Sequence, residues 1–335
     1  MKASHSADMT RRLARAVLVL TLATMAPGTH AEGEPVTPLP PIPRLDPGKV
    51  QLGKRLFHDT RLSRGNTVSC ADCHRLELGG DDDRQRSPSP TDGTPLSFNT
   101  PTVLNVTFNF RFNWRGNFRT LKEQNEAVLL DQHVMNMTWE ELLSRLRSDE
   151  EYRRAFAAVY KPEMEPPDIL DALAIFQQSL VTPDAPFDRY LRGDEAAVSE
   201  EIKRGYTLFK TYGCIACHQG VNVGGNLFQR LGIFQDPVPS DQAVSVSDLG
   251  RFALTGKERD RHVFRVPGLR NVDLTAPYFH DGSMPTLERA VAAMGRMQLG
   301  RMLSDQDIGL IVQFLRSLTG VYREPPGDAV AVTAP

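Results

Sequence analysis

The chain has 335 residues, of which 40% are hydrophobic and 24% are charged. This composition is typical of a globular protein of about two domains and excludes a disordered chain and a coiled coil. The 39 Lys and Arg residues nearly balance the 41 Asp and Glu residues, which gives a formal net charge of −2. Because nucleic-acid binding needs a clustered positive surface, this balance argues against nucleic acid as a partner.

Residues 1–31 have the organisation of a secretory signal peptide. Arg11, Arg12 and Arg15 precede an apolar run over 16–26, and the segment ends in small residues before Glu32. The run is too short to cross a hydrocarbon core of about 30 Å, and no later stretch is typical of a transmembrane helix. The sequence therefore predicts cleavage, export and no transmembrane segment in the mature chain. The proline-rich residues 32–46 predict an extended leader.

All four cysteines lie in two copies of a C-x-x-C-H motif, Cys70-Ala-Asp-Cys73-His74 and Cys214-Ile-Ala-Cys217-His218. This is the attachment signal of haem c, in which two thiols bond the vinyl groups and the histidine ligates the iron. Two short disulfides, a thioredoxin-like motif or a Cys₄ zinc site are the alternatives, but zinc would leave the histidine after each pair without a role. The sequence predicts two covalently bound haem c groups, with His74 and His218 as proximal ligands.

Helical patterns dominate the remaining sequence, and no sustained strand alternation is present. Helices are predicted to begin at the capping residues Thr138, Pro167-Asp168, Ser199 and Ser304, and Gly320 is predicted to cap the last one. The last three of these helices are predicted over 169–181, 202–212 and 308–318. Two long polar loops, over 79–99 and 220–261, are expected to bind or cover a ligand such as haem.

The motifs divide the chain into two similar units. Gly53–Phe57 precedes the first motif and Gly205–Phe209 precedes the second, which suggests a duplicated unit. Residues 182–186 break the helical pattern and predict a domain boundary. The predicted fold is mostly α, with two cytochrome c-like domains that each surround one haem and carry long loops. The predicted N-terminal domain covers 47–185, the C-terminal domain 186–325 and a tail 326–335.

With these motifs and several further segments, the chain resembles the bacterial diheme cytochrome c peroxidases, the group that includes the MauG-type enzymes. The resemblance covers nearly all of the mature chain, and its segments occur in the family's order. Beside the two motifs they are Leu52–Phe57, Leu78–Gly80, Pro101–Asn105, Trp114 with Gly116, Pro183–Asp188, Val263–Asn271, Pro277–His280 and Ala293–Gly295. The resemblance implies a periplasmic enzyme whose first haem reacts with peroxide and whose second haem receives electrons.

The resemblance also implies roles for two residues outside the motifs. It makes Met294 the second axial ligand of the second haem, a ligand type that raises the reduction potential. Spacing alone would equally allow Met284, Met297 or Met302, and a core position is the alternative for each methionine. It makes Trp114 a bridge for electron transfer between the haems, whereas a buried tryptophan also serves packing alone.

A calcium ion between the domains is a further implication of the resemblance. Its ligands would be the Asn99 side chain and the carbonyl oxygens of Thr275 and Pro277, which suit a hard cation. The alternative for Asn99 is a turn residue before Thr100-Pro101. The resemblance also implies a small periplasmic electron donor, either a monohaem cytochrome c or a copper protein, and the homodimer common in the family.

The chain departs from the family pattern at the first haem. Typical members carry a histidine in the loop after the first motif, which blocks the iron until reduction, but residues 79–100 contain none. The first site is therefore expected to be open.

Val134 stands where the family has its acid–base glutamate, and valine cannot move the proton that peroxide cleavage requires. His133 is the predicted proton carrier, with an iron ligand or an ordinary loop residue as alternatives. Other candidates for the proton-transfer role are Asp131, Gln132 and Glu126.

Three functions agree with these features. The first hypothesis is reduction of hydrogen peroxide to water with electrons from a small soluble donor. The second is MauG-like oxidation of a side chain on a partner protein. The altered first site fits it as well as it fits peroxide removal, but Met294 fits it less well, because the MauG enzyme has tyrosine there. The third is a non-catalytic electron-transfer cytochrome, which is expected if His133 ligates the first iron.

Overall fold

The computed structural model describes residues 33–41, 44–237 and 243–323. The predicted signal peptide and C-terminal tail lie outside the described residues. Two three-residue strands, β1 (Phe228–Arg230) and β2 (Val263–Arg265), form an antiparallel ribbon in which Phe228 pairs with Arg265. The helices are α1 (Pro47–Phe57), α2 (Cys70–Cys73), α3 (Leu121–Leu130), α4 (Trp139–Ser148), α5 (Glu150–Val159), α6 (Pro166–Ser179), α7 (Pro186–Leu191), α8 (Glu200–Thr211), α9 (Phe252–Thr255), α10 (Leu287–Leu299) and α11 (Asp305–Arg316).

In the N-terminal domain, α1 packs closely against α6. A Cβ atom at Gly53 would lie 2.0 Å from the Ala172 carbonyl oxygen, so only glycine allows this approach of the two backbones. Beside the contact, the rings of Phe57 and Phe176 lie 5.2 Å apart. Apolar residues from α1, α3, α4, α5 and α6 complete one hydrophobic core.

The C-terminal domain repeats this arrangement with α8 and α11. A Cβ atom at Gly205 would lie 2.0 Å from the Leu310 carbonyl oxygen. The rings of Phe209 and Phe314 lie 5.0 Å apart in a second core. The two short sequence segments that suggested a duplicated unit thus occupy equivalent places, each in the helix that packs against the last helix of its domain.

A buried polar cluster joins the two domains at the predicted boundary. The Thr182 hydroxyl lies 2.8 Å from Asn105 Nδ2 and 2.9 Å from Asn271 Nδ2. Both asparagines have left-handed backbones, with φ of 58° and 60°, and each precedes a single helical turn. Equivalent residues of the two domains therefore meet on one threonine.

The prediction that Gly320 caps the last helix is wrong. The helix α11 ends at Arg316, with Ser317 as its cap. The Gly320 N–H instead donates to Asn271 Oδ1 at 2.9 Å, and a Cβ atom there would lie 2.1 Å from the Thr182 carbonyl oxygen. This glycine allows the segment after α11 to lie close to the polar cluster at the domain boundary.

Residues 33–41, part of the predicted leader, run without helix and dock on the C-terminal domain; we call them the N-terminal strap. The side chains of Val36 and Leu39 are 0% and 1% exposed. Val36 pairs with Gly220, two residues after His218, and Arg270 donates to the Thr37 carbonyl at 2.9 Å. The first described segment therefore contacts the C-terminal domain, although it precedes the N-terminal domain in sequence. Among the described residues, no helix combines the length and apolar character needed to cross a membrane.

Candidate haem-binding sites

A cavity of about 370 Å³ surrounds the second C-x-x-C-H motif. Cys214, Cys217, His218 and Met294 all line it, among mostly apolar neighbours. Met284, Met297 and Met302 do not line this cavity, and Met302 is 80% exposed. The cavity therefore combines two thiols, an imidazole and a thioether, which is the side-chain set required by a haem c with His and Met ligands.

The ligand histidine of this motif is buried. Burial lowers the pKa of His218 to about 4, so that the ring is neutral at neutral pH and keeps a lone pair for a metal. The ring centroids of Phe209 and His218 lie 6.5 Å apart, so α8, which carries Phe209, lies beside the imidazole. Burial raises the pKa of Cys214 to about 11. All four cysteines are free, so the structure does not adopt the alternative of two disulfides.

The first motif follows the same plan. Its cysteines form α2, which begins where the Ser69 N–H donates to the Asp72 carboxylate at 2.7 Å. His74 comes next, and its Nδ1 lies 3.1 Å from the Gly80 carbonyl oxygen, which leaves Nε2 for a metal. The Phe57 ring lies 6.4 Å from the His74 ring, and burial lowers the pKa of His74. Each motif thus presents a neutral imidazole backed by a phenylalanine.

Trp114 belongs to the N-terminal domain but lines the cavity of the second motif. It is 8% exposed, and its Nε1 donates to the Asn99 carbonyl at 2.8 Å. The Asn99 N–H donates to the His280 carbonyl at 2.8 Å, and the Arg265 N–H donates to the Trp114 carbonyl at 2.9 Å. Groups from both domains therefore fix the indole ring.

The predicted calcium ligands Asn99, Thr275 and Pro277 also line this cavity. Asn99 is 5% exposed, and its Nδ2 donates to the Arg84 carbonyl at 3.0 Å, which leaves Oδ1 as the available acceptor. Within the described ranges, the carbonyl oxygens of Thr275 and Pro277 accept no backbone hydrogen bond. The structure thus brings three candidate oxygen ligands to one wall, and they fit a hard cation.

Near the first motif, the structure places His133 and Val134 in different surroundings. The His133 side chain is 68% exposed, and its Nδ1 lies 3.7 Å from Asp92 Oδ2 in the long loop. Val134 is half-buried and packs against the N-terminal core. The valine, not the histidine, is therefore directed inward. The other candidates for proton transfer, Asp131, Gln132 and Glu126, are exposed.

Sequence analysis missed a buried acidic pair after the first motif. Asp81 and Asp82 are 1% and 4% exposed. Asp82 accepts a hydrogen bond of 2.7 Å from the Ser87 hydroxyl, which lies 2.6 Å from the Thr100 hydroxyl. Burial and the nearby carboxylates of Asp83 and Asp82 raise the pKa of Asp81 to about 7. The acidic run directly after Gly79-Gly80 was the available signal, because such a run is unusual where the chain turns into a buried loop.

Two polar residues on the wall of the second cavity were also not predicted as site residues. Arg265 and His280 are each 5% exposed. His280 Nε2 lies 2.8 Å from Asp248 Oδ1, and its ring stacks on Phe264 with centroids 4.4 Å apart. Both residues lie in segments that resemble the family, but sequence alone gave neither of them a role.

Comparison with known proteins identifies the family. The sequence profile of the di-haem cytochrome c peroxidases matches residues 47–196, and the cytochrome c profile matches 202–319. The chain is 39% identical over 314 residues to a cytochrome c551 peroxidase of Nitrosomonas europaea, covering 92% of each protein. The chain belongs to the di-haem cytochrome c peroxidase family.

Two further relatives agree with this assignment. Cytochrome c peroxidase Ccp of Escherichia coli is 43% identical over 290 residues, which span 86% of this chain and 62% of that relative. The crystal structure of a MauG-like protein associated with microbial copper homeostasis matches with a TM-score of 0.72 at 29% identity, covering 85% of this chain and 93% of that one.

Family membership confirms the predicted fold class, mostly α with two cytochrome c-like domains. It also confirms the predicted reaction class, an oxidoreductase of the diheme cytochrome c peroxidase type. Two haem c groups follow, one for each motif, and the neutral histidines and free thiols described above fit them.

Proposed function

We propose that this protein reduces hydrogen peroxide to water in the periplasm, with electrons from a monohaem cytochrome c or a small copper protein. A difference between the two sites supports the proposal. His218 shares its cavity with the thioether of Met294, a second iron ligand, whereas the residue directed inward near the first motif is the apolar Val134. Two relatives named cytochrome c peroxidases support it. When bound, haem c would supply iron for single-electron transfer, held by His218 in the second site and by His74 in the first, where peroxide would react.

The side chains have distinct roles in this proposal. His74 and His218 act as neutral iron ligands, and the thioether of Met294 raises the potential of the electron-entry site. Trp114 bridges the two sites, and its hydrogen bond to Asn99 holds the indole in one orientation. Asn99, Thr275 and Pro277 hold a calcium ion that couples the domains.

His133 carries the proton in this proposal. Its exposed imidazole exchanges protons directly with water, and its approach to Asp92 holds it beside the loop over 79–99. The hydroxyl of Thr91 in that loop also donates to the Gln132 carbonyl at 3.1 Å, so a hydrogen bond joins the two loops beside His133. The alternative role as an iron ligand would require the His133 side chain to turn from the surface to the interior.

Electron paramagnetic resonance of the oxidised holoenzyme, before and after peroxide addition, tests the function. We expect a high-spin signal from one haem, because residues 79–100 offer no histidine ligand, and we expect peroxide to remove that signal. The substitution His133→Ala should slow turnover by about tenfold or more, whereas His58→Ala, at another exposed histidine of the same domain, should not. Low-spin signals from both haems that do not change on peroxide addition would contradict the proposal and favour an electron-transfer cytochrome.

The second candidate function is MauG-like oxidation of a side chain on a partner protein. The half-buried Val134, which replaces the family's glutamate, and the solved MauG-like relative favour it. Mass spectrometry of proteins that copurify with the holoenzyme tests this candidate. A partner with an oxidised Trp or Tyr after peroxide addition would support it over peroxide removal.

A further inference from the structure

Arg265 is a buried cation that lacks an anionic partner in the described part of the chain. It is 5% exposed on the cavity wall. Its side-chain hydrogen bonds to neutral groups are long: Nε lies 3.3 Å from the Asn113 carbonyl oxygen, and Nη1 lies 3.4 Å from Asn109 Oδ1. Burial lowers the pKa of Arg265 to about 10, so it stays charged at neutral pH. A buried guanidinium is stable only when an anion compensates it.

The other arginine of the cavity wall shows what such compensation involves. Arg270 is 3% exposed, and its Nη2 lies 2.9 Å from the Asp188 carboxylate, which is itself fully buried. Both arginines come from one short segment and line one cavity. The protein provides an acid for Arg270 and, within the described ranges, none for Arg265.

Three more arginines, Arg111, Arg115 and Arg251, belong to segments next to that of Arg265, whose backbone N–H donates to the Trp114 carbonyl. Arg251 donates to the Arg115 carbonyl at 2.8 Å, and burial lowers the pKa of Arg251 against the opposing effect of Asp260. Neither Arg111, Arg115 nor Arg251 forms an ion pair with a carboxylate of the described residues. His280 on the same wall has a buried Nδ1 without a hydrogen-bond partner. Among the described residues of this wall, His280 and Arg270 thus each have a carboxylate partner, in Asp248 and Asp188, and Arg265 has none.

We propose that Arg265 binds a propionate of the second haem and that this pair raises the reduction potential of that haem. The proposal rests on the assignment of haem c to the cavity of His218 and Met294. Haem carries two carboxylates, and a guanidinium recognises a carboxylate through two parallel hydrogen bonds. A nearby cation favours the reduced iron, because reduction removes positive charge from the site.

Potentiometric titration of the holoenzyme without peroxide tests this proposal. For Arg265→Met, we expect the oxidised-to-reduced ratio of the second haem at fixed potential to rise about tenfold, which is ~59 mV for one electron. Arg265→Lys should retain most of the potential, and Arg251→Met, at a half-buried arginine that does not line the cavity, should shift the ratio less than about threefold. Arg265→Gln, which keeps a hydrogen-bonding side chain, replaces Arg265→Met if the latter does not fold.

Resonance Raman spectroscopy of the same variants separates propionate binding from a general change in structure. The propionate bending mode of the second haem should shift in Arg265→Met and not in Arg251→Met. Equal potential shifts in both variants, a shift of the first haem alone, or an unchanged propionate mode would each overturn the proposal. Because no measurement here uses turnover, loss of peroxidase activity would contradict the proposed function without affecting this test.

Discussion

The two histidines proposed as iron ligands, His74 and His218, illustrate how burial alone prepares a side chain for metal binding. His218 has a pKa of about 4, so protons compete poorly for its ring nitrogen at neutral pH. His74 gains orientation as well, since the Gly80 carbonyl fixes its Nδ1. A donor fixed on one nitrogen leaves the other directed toward the metal, which makes the backbone at Gly80 part of the site.

Asp81 predicts an unusual pH dependence of stability. Its pKa is about 7 in the folded chain against an ordinary value of 3.8, so the folded state holds a proton that the unfolded state releases. Its contribution to stability is therefore greatest below about pH 4, falls as the pH rises to about 7 and is constant above that. Asp81→Asn should raise the thermal midpoint at about pH 8 and leave it unchanged at about pH 4.

Thermal denaturation of the wild type and of Asp81→Asn across this range checks the prediction. Asp236→Asn, at an exposed aspartate of the C-terminal domain, is the control and should give a difference that varies little with pH. A stability difference for Asp81→Asn that is equally large at both ends of the range would contradict the assignment.

At the scale of secondary-structure elements, each domain depends on one glycine contact between helices. Gly53→Ala and Gly205→Ala should each destabilise the protein by about 2 kcal/mol or more, because the added Cβ would overlap a backbone carbonyl of α6 or α11. Gly309→Ala, in α11, has no atom within 4 Å of the new Cβ and should stabilise by ~0.5–1 kcal/mol. Urea denaturation measures all three variants, and comparable losses in all three would contradict the close-contact explanation.

The elements also show what the sequence could and could not predict. The motifs and the helices that begin near Thr138, Ser199 and Ser304 were predicted correctly, because spacing and capping are local properties. The role of Gly320 was not predicted, because it depends on close contact with the carbonyl group of Thr182, a residue on the other side of the domain boundary. The burial of Arg265 was equally unpredictable, because it depends on how two strands of three residues pair across a long loop.

At the scale of the whole molecule, the domains meet around Trp114 and Asn99, and calcium is predicted to stabilise that contact. Removal of calcium with a chelator should lower the thermal midpoint of the wild type by a concentration-dependent amount. Asn99→Ala should start from the lower midpoint and respond little to chelation, whereas Asn226→Ala, at an exposed asparagine, should respond like the wild type. Calcium titration in a calorimeter measures the same difference, and an equal response of all three proteins would exclude this site.

The N-terminal strap predicts that a change near the start of the chain destabilises the second domain. Leu39→Ala should cost about 2–5 kcal/mol, because Leu39 is 1% exposed. Leu254→Ala, at a leucine that is 46% exposed, should change stability by less than about 0.5 kcal/mol. Chemical denaturation followed by circular dichroism compares them, and similar losses would show that the strap adds no stability.

The strap also sets an order of assembly. Val36 pairs with Gly220, a partner more than half the chain length away. Such a contact closes a very long loop, so its entropic cost is met only after the residues between the two ends have folded. During synthesis the strap is among the first described segments to be made and the last to find its place. Protection of the Gly220 N–H, which donates to the Pro35 carbonyl at 2.7 Å, from hydrogen exchange is therefore a measure of complete folding for both domains.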